Sequence, residues 1–309
     1  MPTIELRAYC PDVAAATAAL RAAGGVPDSD APSSGDAVGR PASLFHGHGW
    51  RVSLRRPAGG YDLVEIEVAY VEPEDRERAG GVADELRTAL GVRDIDIVPW
   101  SDGEIATLIA SARTWRRRLG DLSGRLFLID GPSGAGKSTL VGALRDESAP
   151  GYVHVSRCTS RAPRAGEEAT KEYIHLSAAE FAGQIRSGRF LEYRHFMFDM
   201  SYGLRWDDVG AALTSPGAVA AYGLVNLGNI RHVREFVPEA TTILVTAPLE
   251  QIRRRLESRG THPPDAIAER LSSARTFSAA IEFSDYVLDN RDGPFDETLA
   301  QLRRIVYGR

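Results

Sequence analysis

Two patterns of apolar and polar positions divide the chain. Over "TIELRAY" (3–9), "GWRVSLRRP" (49–57) and "YDLVEIEVAYVE" (61–72) apolar residues alternate with polar ones, the period-two signature of strands with one face in a core and the other in solvent. That alternation places Arg51, Ser53 and Arg55 on one face of a strand, and Glu65 and Glu67 on one face of the next. Helical periodicity runs through "DVAAATAALRAAG" (12–24), ended by Gly24, through "ERAGGVADELRTALG" (77–91) and through "GEIATLIASARTWRRRLG" (103–120). Between them "VPDSDAPSSGDAVGRPA" (26–42) is rich in turn formers and reads as a long loop. Residues 1–119 are therefore expected to form a small α+β domain, followed by a linker at "GDLSG" (120–124).

From Arg125 onward the alternation disappears. "RLFLID" (125–130), "TTILVTA" (241–247) and "DYVLDN" (285–290) are short apolar runs beside helical segments. Strands buried on both faces read this way, and strands alternating with helices predict an α/β domain with a parallel sheet flanked by helices over 125–309.

Composition narrows the function. Hydrophobic residues make up 43% of the 309 and charged residues 26%, a globular balance. A formal net charge of −5 provides no overall field to attract nucleic acid or an anionic membrane, so any anion site must be local. No apolar run approaches 18 residues, and "MPTIELRAYC" lacks the basic and apolar regions of a signal peptide. The expectation is a cytoplasmic protein with neither nucleic-acid nor membrane partners; oligomerisation is left open. Cys10 and Cys158, far apart, fit a reducing compartment and exclude a disulfide framework. His46 and His48 in "HGHGW" have no acidic or Cys neighbour and read as plain loop histidines. No internal repeat is present. Only Lys137 and Lys171 among the 37 basic residues are lysines, which adds weight to those two.

"GPSGAGKST" fits G-x-x-x-x-G-K-[ST], with Gly131, Gly136, Lys137 and Ser138 in register between a strand and a helix. Glycines let successive backbone N–H groups turn toward phosphate oxygens, and the helix N-terminus adds a positive dipole end. Gly131, Ser133, Gly134, Gly136, Lys137, Ser138 and Thr139 are the candidate ATP cradle. Lys137 reaches toward the β- and γ-phosphates, and the Ser138 hydroxyl suits Mg²⁺.

Downstream, "SRCTSRAPRAGEEATKEYIHL" (156–176) sets Arg157, Arg161 and Arg164 within eight positions. A guanidinium is a planar fork matched to phosphate oxygens. Thr159, Arg161, Pro163, Arg164, Gly166, Glu167 and Tyr173 follow the T-x-R-x-P-R-x-G-E…Y segment of guanylate kinases, which residues 125–309 resemble. "GRFLEY" then supplies Glu192, "MSYG" supplies Tyr202, "RRRLESRGTHPPDAIAERL" resembles the family's lid, and "DYVLDNRD" places Asn290 where the family has an asparagine near adenine. The resemblance implies a P-loop kinase fold with a lid, ATP as co-substrate with Mg²⁺, and a small phosphorylated acceptor. It further implies that Arg161, Arg164, Tyr173 and Tyr202 hold the acceptor phosphate, and that Arg255, Arg259 and Arg270 join Lys137 over the transferred group.

The likeness thins where guanine would be read. Of the family's serine, glutamate and aspartate, Glu192 stands; the serine position is Arg157, and Val209 through Arg234 contain no Asp or Glu. Ribose 1,5-bisphosphate phosphokinases, a related group, also carry R-x-x-x-R here and lack those acids. The expectation is transfer to GMP or a related nucleoside monophosphate with a weakened base grip; a sugar phosphate is the alternative acceptor. A non-catalytic guanylate kinase-like binding module is disfavoured by Lys137 and Ser138. Residues 1–119 resemble CYTH-type domains in "IELRA", "WRVSLRR" and "LVEIEVAYVE". The opening E-x-E-x-K is reduced to Glu5 and Arg7, so they read as a degenerate domain for assembly or substrate positioning.

Overall fold

The computed structural model describes residues 3–10, 13–27, 41–47, 49–55, 63–69, 72–90, 92, 98, 100–120, 122–147, 149–163, 173–195, 200–215, 219–223, 228–260, 263–276, 281, 284–293 and 295–308. They divide into two compact units, 1–110 and 111–309.

The first unit comprises β1 (Thr3–Tyr9), α1 (Val13–Ala22), β2 (Val26–Pro27), β3 (Pro41–Gly47), β4 (Trp50–Arg55), β5 (Leu63–Ala69), α2 (Arg76–Ala89) and the start of α3 (Asp102–Leu119). Its strands form an antiparallel sheet ordered β1-β5-β4-β3-β2. Ala8, Val52, Leu54, Val64, Ile66 and Val68 pack with Leu20 of α1 and Ala83 and Leu86 of α2 in one core. The polar alternation lies where expected: Arg51 pairs with Glu67 and Ser53 with Glu65 across β4 and β5. Arg7 closes on Glu65 at 2.7 Å, and the Ser53 hydroxyl donates to the same carboxylate at 3.3 Å. His46 lies exposed within β3 rather than in a loop, because it pairs with Arg51 of β4. His48, the other half of that pair, is outside the described residues. Among the described residues no group of three or more His, Cys, Asp or Glu side chains could hold a metal ion, and no helix is long and apolar enough to cross a membrane.

The second unit is α/β. Its elements are β6 (Arg125–Asp130), α4 (Lys137–Asp146), β7 (Tyr152–His154), β8 (Arg157–Thr159), β9 (Tyr173–His175), α5 (Ala178–Arg186), β10 (Phe190–His195), β11 (Ser201–Arg205), α6 (Trp206–Thr214), β12 (Val219–Gly223), α7 (Gly228–Phe236), β13 (Thr241–Thr246), α8 (Leu249–Ser258), α9 (Pro264–Thr276), β14 (Tyr286–Asp289) and α10 (Phe295–Tyr307). The main sheet is ordered β14-β13-β6-β12-β7 and is parallel throughout. Phe127, Ile129, Leu140, Leu144, Val245 and Leu302 form the core between sheet and helices. A smaller sheet, β10-β11-β8-β9, carries the arginine stretch. It leads into α5 through a capping box: Ser177 Oγ accepts from the Glu180 amide at 3.2 Å, and the Glu180 carboxylate accepts from the Ser177 amide at 2.7 Å.

The expected linker at 120–124 lies beyond the point where the units divide, because α3 runs across that division. Its last residues are packed in the second unit. Ser111 donates to the Gly188 carbonyl, and Trp115 stacks on Trp206 with centroids 6.3 Å apart and planes 8° from parallel. Ser123 and Gly124 follow, both amides donating to Leu213 O at 2.9 and 2.8 Å.

Candidate active site

The phosphate loop occupies the turn from β6 to α4. Gly131 has φ 145° and Gly136 φ 97°, backbone regions that favour glycine. Contact enforces the same choice: a Cβ on Gly131 would lie 2.1 Å from Val245 O, and one on Gly136 2.2 Å from Asn290 Nδ2. Lys137 begins α4 and folds its ammonium back onto the carbonyls of Gly131 and, at 3.0 Å, Pro132. Ser133 is exposed and Gly134 buried, while Ser138 and Thr139 lie on the first turn of α4.

Asn290 and Arg255 brace this loop from the β14 side. Asn290 is buried and donates through Nδ2 to Ala135 O at 2.7 Å. Arg255 reaches Gly134 O at 3.3 Å, Asn290 O at 2.8 Å and the Asp292 carboxylate at 2.7 Å. Arg259 is exposed at the end of α8, and Arg270 donates to Ala266 O one turn back in α9. Of Arg255, Arg259 and Arg270, Arg255 alone hydrogen-bonds the loop among the described residues.

The smaller sheet gathers the acceptor candidates. β8 pairs with β9 so that Arg157 lies opposite Tyr173, and β11 pairs with β8 so that Tyr202 lies opposite Thr159. Arg157 donates to the Tyr173 hydroxyl at 2.6 Å and Arg161 to the Tyr202 hydroxyl at 3.2 Å. Both guanidiniums lie over the Tyr173 ring, 4.8 and 5.2 Å from its centroid. Tyr173 and Tyr202 meet edge to face at 6.1 Å. Glu192 of β10 is buried and accepts from Asn229 Nδ2 at the start of α7. Arg164, Glu167 and Lys171 lie outside the described residues.

Sequence reading missed three charged or polar groups here. Asn229 comes from α7, in the stretch without acids. Arg194 lies two residues beyond Glu192 on β10, directly across from Tyr202. Burial pushes Arg194 below the ordinary guanidinium range, and the carboxylates of Asp130 and Glu192 oppose that shift. Asp130, the last residue of β6, is also buried; its Oδ1 accepts from the Gly131 amide at 2.7 Å, while its Oδ2 takes no hydrogen bond from a described residue. Burial raises its pKa to about 6 against the pull of Lys137, the Gly131 N–H, Arg157 and Arg194. A polar residue closing an apolar run was the only signal for it.

The residues present fit a hard cation. The Ser138 hydroxyl and the Asp130 carboxylate are oxygen donors on either side of the loop, and Mg²⁺ uses one or two such groups while keeping waters and phosphate oxygens.

Residues 123–308 match the family model described as guanylate kinase. Over 188 residues the chain is 41% identical to the guanylate kinase of Rubrobacter xylanophilus, spanning 60% of this chain and 96% of that one. Over 190 residues it is 34% identical to the guanylate kinase of Corynebacterium diphtheriae, at the same two coverages. The crystal structure of guanylate kinase from Anaplasma phagocytophilum superposes with a TM-score of 0.48 at 22% identity, covering 61% of this chain and 87% of that one.

Proposed function

This chain belongs to the guanylate kinase family over residues 123–308, and from that premise we propose that its second unit transfers the γ-phosphoryl group of ATP to GMP, releasing ADP and GDP. The single observation that carries the GMP reading is Glu192: a buried carboxylate on the same small sheet as Arg157, Tyr173 and Tyr202.

Phosphoryl transfer asks a protein for placement and charge more than for covalent chemistry. The loop amides from Gly131 to Ser138 cradle the ATP phosphates, and Lys137 turns from the loop carbonyls to the β- and γ-phosphates. Mg²⁺ would be held by Ser138 and Asp130 and would offset negative charge on the phosphates. Arg161 and Tyr202, with Arg164 on the same sequence motif as Arg161, hold the GMP phosphate in line. Arg157 and Tyr173 complete that grip as a hydrogen-bonded pair. Glu192, oriented by Asn229, accepts from guanine N–H groups. Arg255 and Asn290 keep the loop in its phosphate-binding shape; Arg259 and Arg270 need closure of the α8–α9 segment to reach the reacting groups. The reaction belongs in the cytoplasm and uses small molecules alone.

Arg157 favours a second reading. A guanidinium where the family has serine suits an acceptor bearing another anionic group, such as a sugar bisphosphate. Glu192→Gln separates the two. For GMP the loss of one charged hydrogen bond should lower kcat/KM by roughly ten- to a hundredfold. An unchanged kcat/KM for GMP would overturn the base-reading role of Glu192.

A further inference from the structure

We propose that Arg194 is a further acceptor-binding residue, contacting the phosphate group of the acceptor beside Arg161. The inference rests on the phosphotransferase reading above and adds a residue to its site.

Position comes first. In β10, Arg194 shares a face with Glu192, since side chains two apart on a strand point the same way. Across the ladder it pairs with Tyr202, whose hydroxyl accepts from Arg161. Cross-strand neighbours hold their Cβ atoms about 5 Å apart, so the Arg194 stem starts beside the tyrosine of the acceptor cradle.

Charge comes second. Arg194 is flanked by Glu192 on its own strand and by Asp130 at the mouth of the phosphate loop. The same Asp130 feels Lys137 and Arg157. Arg194 is therefore coupled electrostatically both to the carboxylate beside the phosphate loop and to Glu192. Arg157 and Arg161, both over the Tyr173 ring, and Arg194 across from Tyr202 bring three guanidiniums to the two tyrosines of the proposed acceptor cradle. A partly buried guanidinium gains most where a phosphate replaces its lost water.

The test is steady-state kinetics of full-length Arg194→Ala and Arg194→Lys, with melting curves to confirm folding. Arg194→Ala should lower kcat/KM for GMP by roughly thirty- to a hundredfold and change KM for ATP less than about threefold. Lysine should recover part of the loss, because it keeps the charge and loses the fork. Added guanidinium ion should rescue the alanine variant. A merely structural arginine would give neither selective loss nor rescue. An Arg194→Ala enzyme within about threefold of wild type for its acceptor would overturn the proposal. If wild type does not phosphorylate GMP, the GMP reading fails. Calorimetry with pyrophosphate, with Lys137→Ala present in both proteins, then decides on Arg194: weaker binding in the alanine variant supports it, equal binding refutes it.

Discussion

Arg157 donates to the hydroxyl of Tyr173 at 2.6 Å and lies 4.8 Å above the centre of the same ring. The arginine that takes the family's serine position is therefore locked to a residue of the proposed acceptor grip.

That contact predicts coupling. Arg157→Ser and Tyr173→Phe should each lower kcat/KM for the acceptor about tenfold, and the double variant should lose less than the product of the two. Interaction energies of roughly 0.5–3 kcal/mol are usual for residues in contact. Strictly multiplicative losses would show that the pair does not act as a unit.

Lys137→Ala should cut turnover on the order of a hundredfold or more, because a preorganised cation over developing charge is lost. The substitution also removes the ammonium's hydrogen bonds to Gly131 O and Pro132 O and its pull on Asp130, so turnover is compared at a temperature where melting curves show both proteins folded. Near wild-type turnover would remove the loop lysine from the chemistry.

Asp130 carries a stability cost. Its folded pKa, about 6, lies above its ordinary value of 3.8. The folded state binds the proton more tightly, so the stabilising contribution of the protonated form is complete below 3.8 and is lost as pH rises through 6. At pH 7.5 the ionised, buried carboxylate costs on the order of 3 kcal/mol. Asp130→Asn keeps an acceptor for the Gly131 amide and should raise the melting temperature at pH 7.5, with little gain near pH 4. Turnover should fall as the Mg²⁺ requirement rises. A lower melting temperature at pH 7.5 would contradict this.

Start points within and beyond α3 should behave differently. A chain beginning at Ser111 keeps the Ser111–Gly188 hydrogen bond and the Trp115–Trp206 stack; it should melt cooperatively and bind ATP. One beginning at Asp121 uncovers Trp206, which is fully buried in the whole chain, and should melt lower by several degrees, about 2–4 °C per kcal/mol for a unit of this size. Equal melting temperatures would show that α3 adds nothing to the second unit.

The legible parts of this protein are the local ones. The phosphate loop and the arginine stretch depend on residue types at fixed spacing. Alternation alone groups Arg51 with Ser53 and Glu65 with Glu67, and β4 and β5 then pair those two polar faces. What escaped depends on distant partners. Asn229 meets Glu192 across 37 positions, and its sequence surroundings give no hint of the carboxylate it serves. Asp130 reads as the end of a hydrophobic strand until the loop beside it is seen. Amphipathic periodicity shows that α3 is half buried but not against which unit. Asn290 stands out in the sequence only by its resemblance to the family's motif; that its amide donates to Ala135 O follows from the packing of the end of β14 against the loop.

The acceptor itself is tested most directly by kcat/KM in a coupled ADP-release assay over GMP, AMP, other nucleoside monophosphates and ribose 1,5-bisphosphate. If Glu192 reads the base, then with no aspartate between Val209 and Arg234 GMP should still be the best acceptor. It should lead AMP by only about ten- to a hundredfold, the worth of a single charged hydrogen bond. Equal values for GMP and AMP, or a ribose 1,5-bisphosphate value far above both, would contradict a GMP kinase and assign the site to a different phosphomonoester.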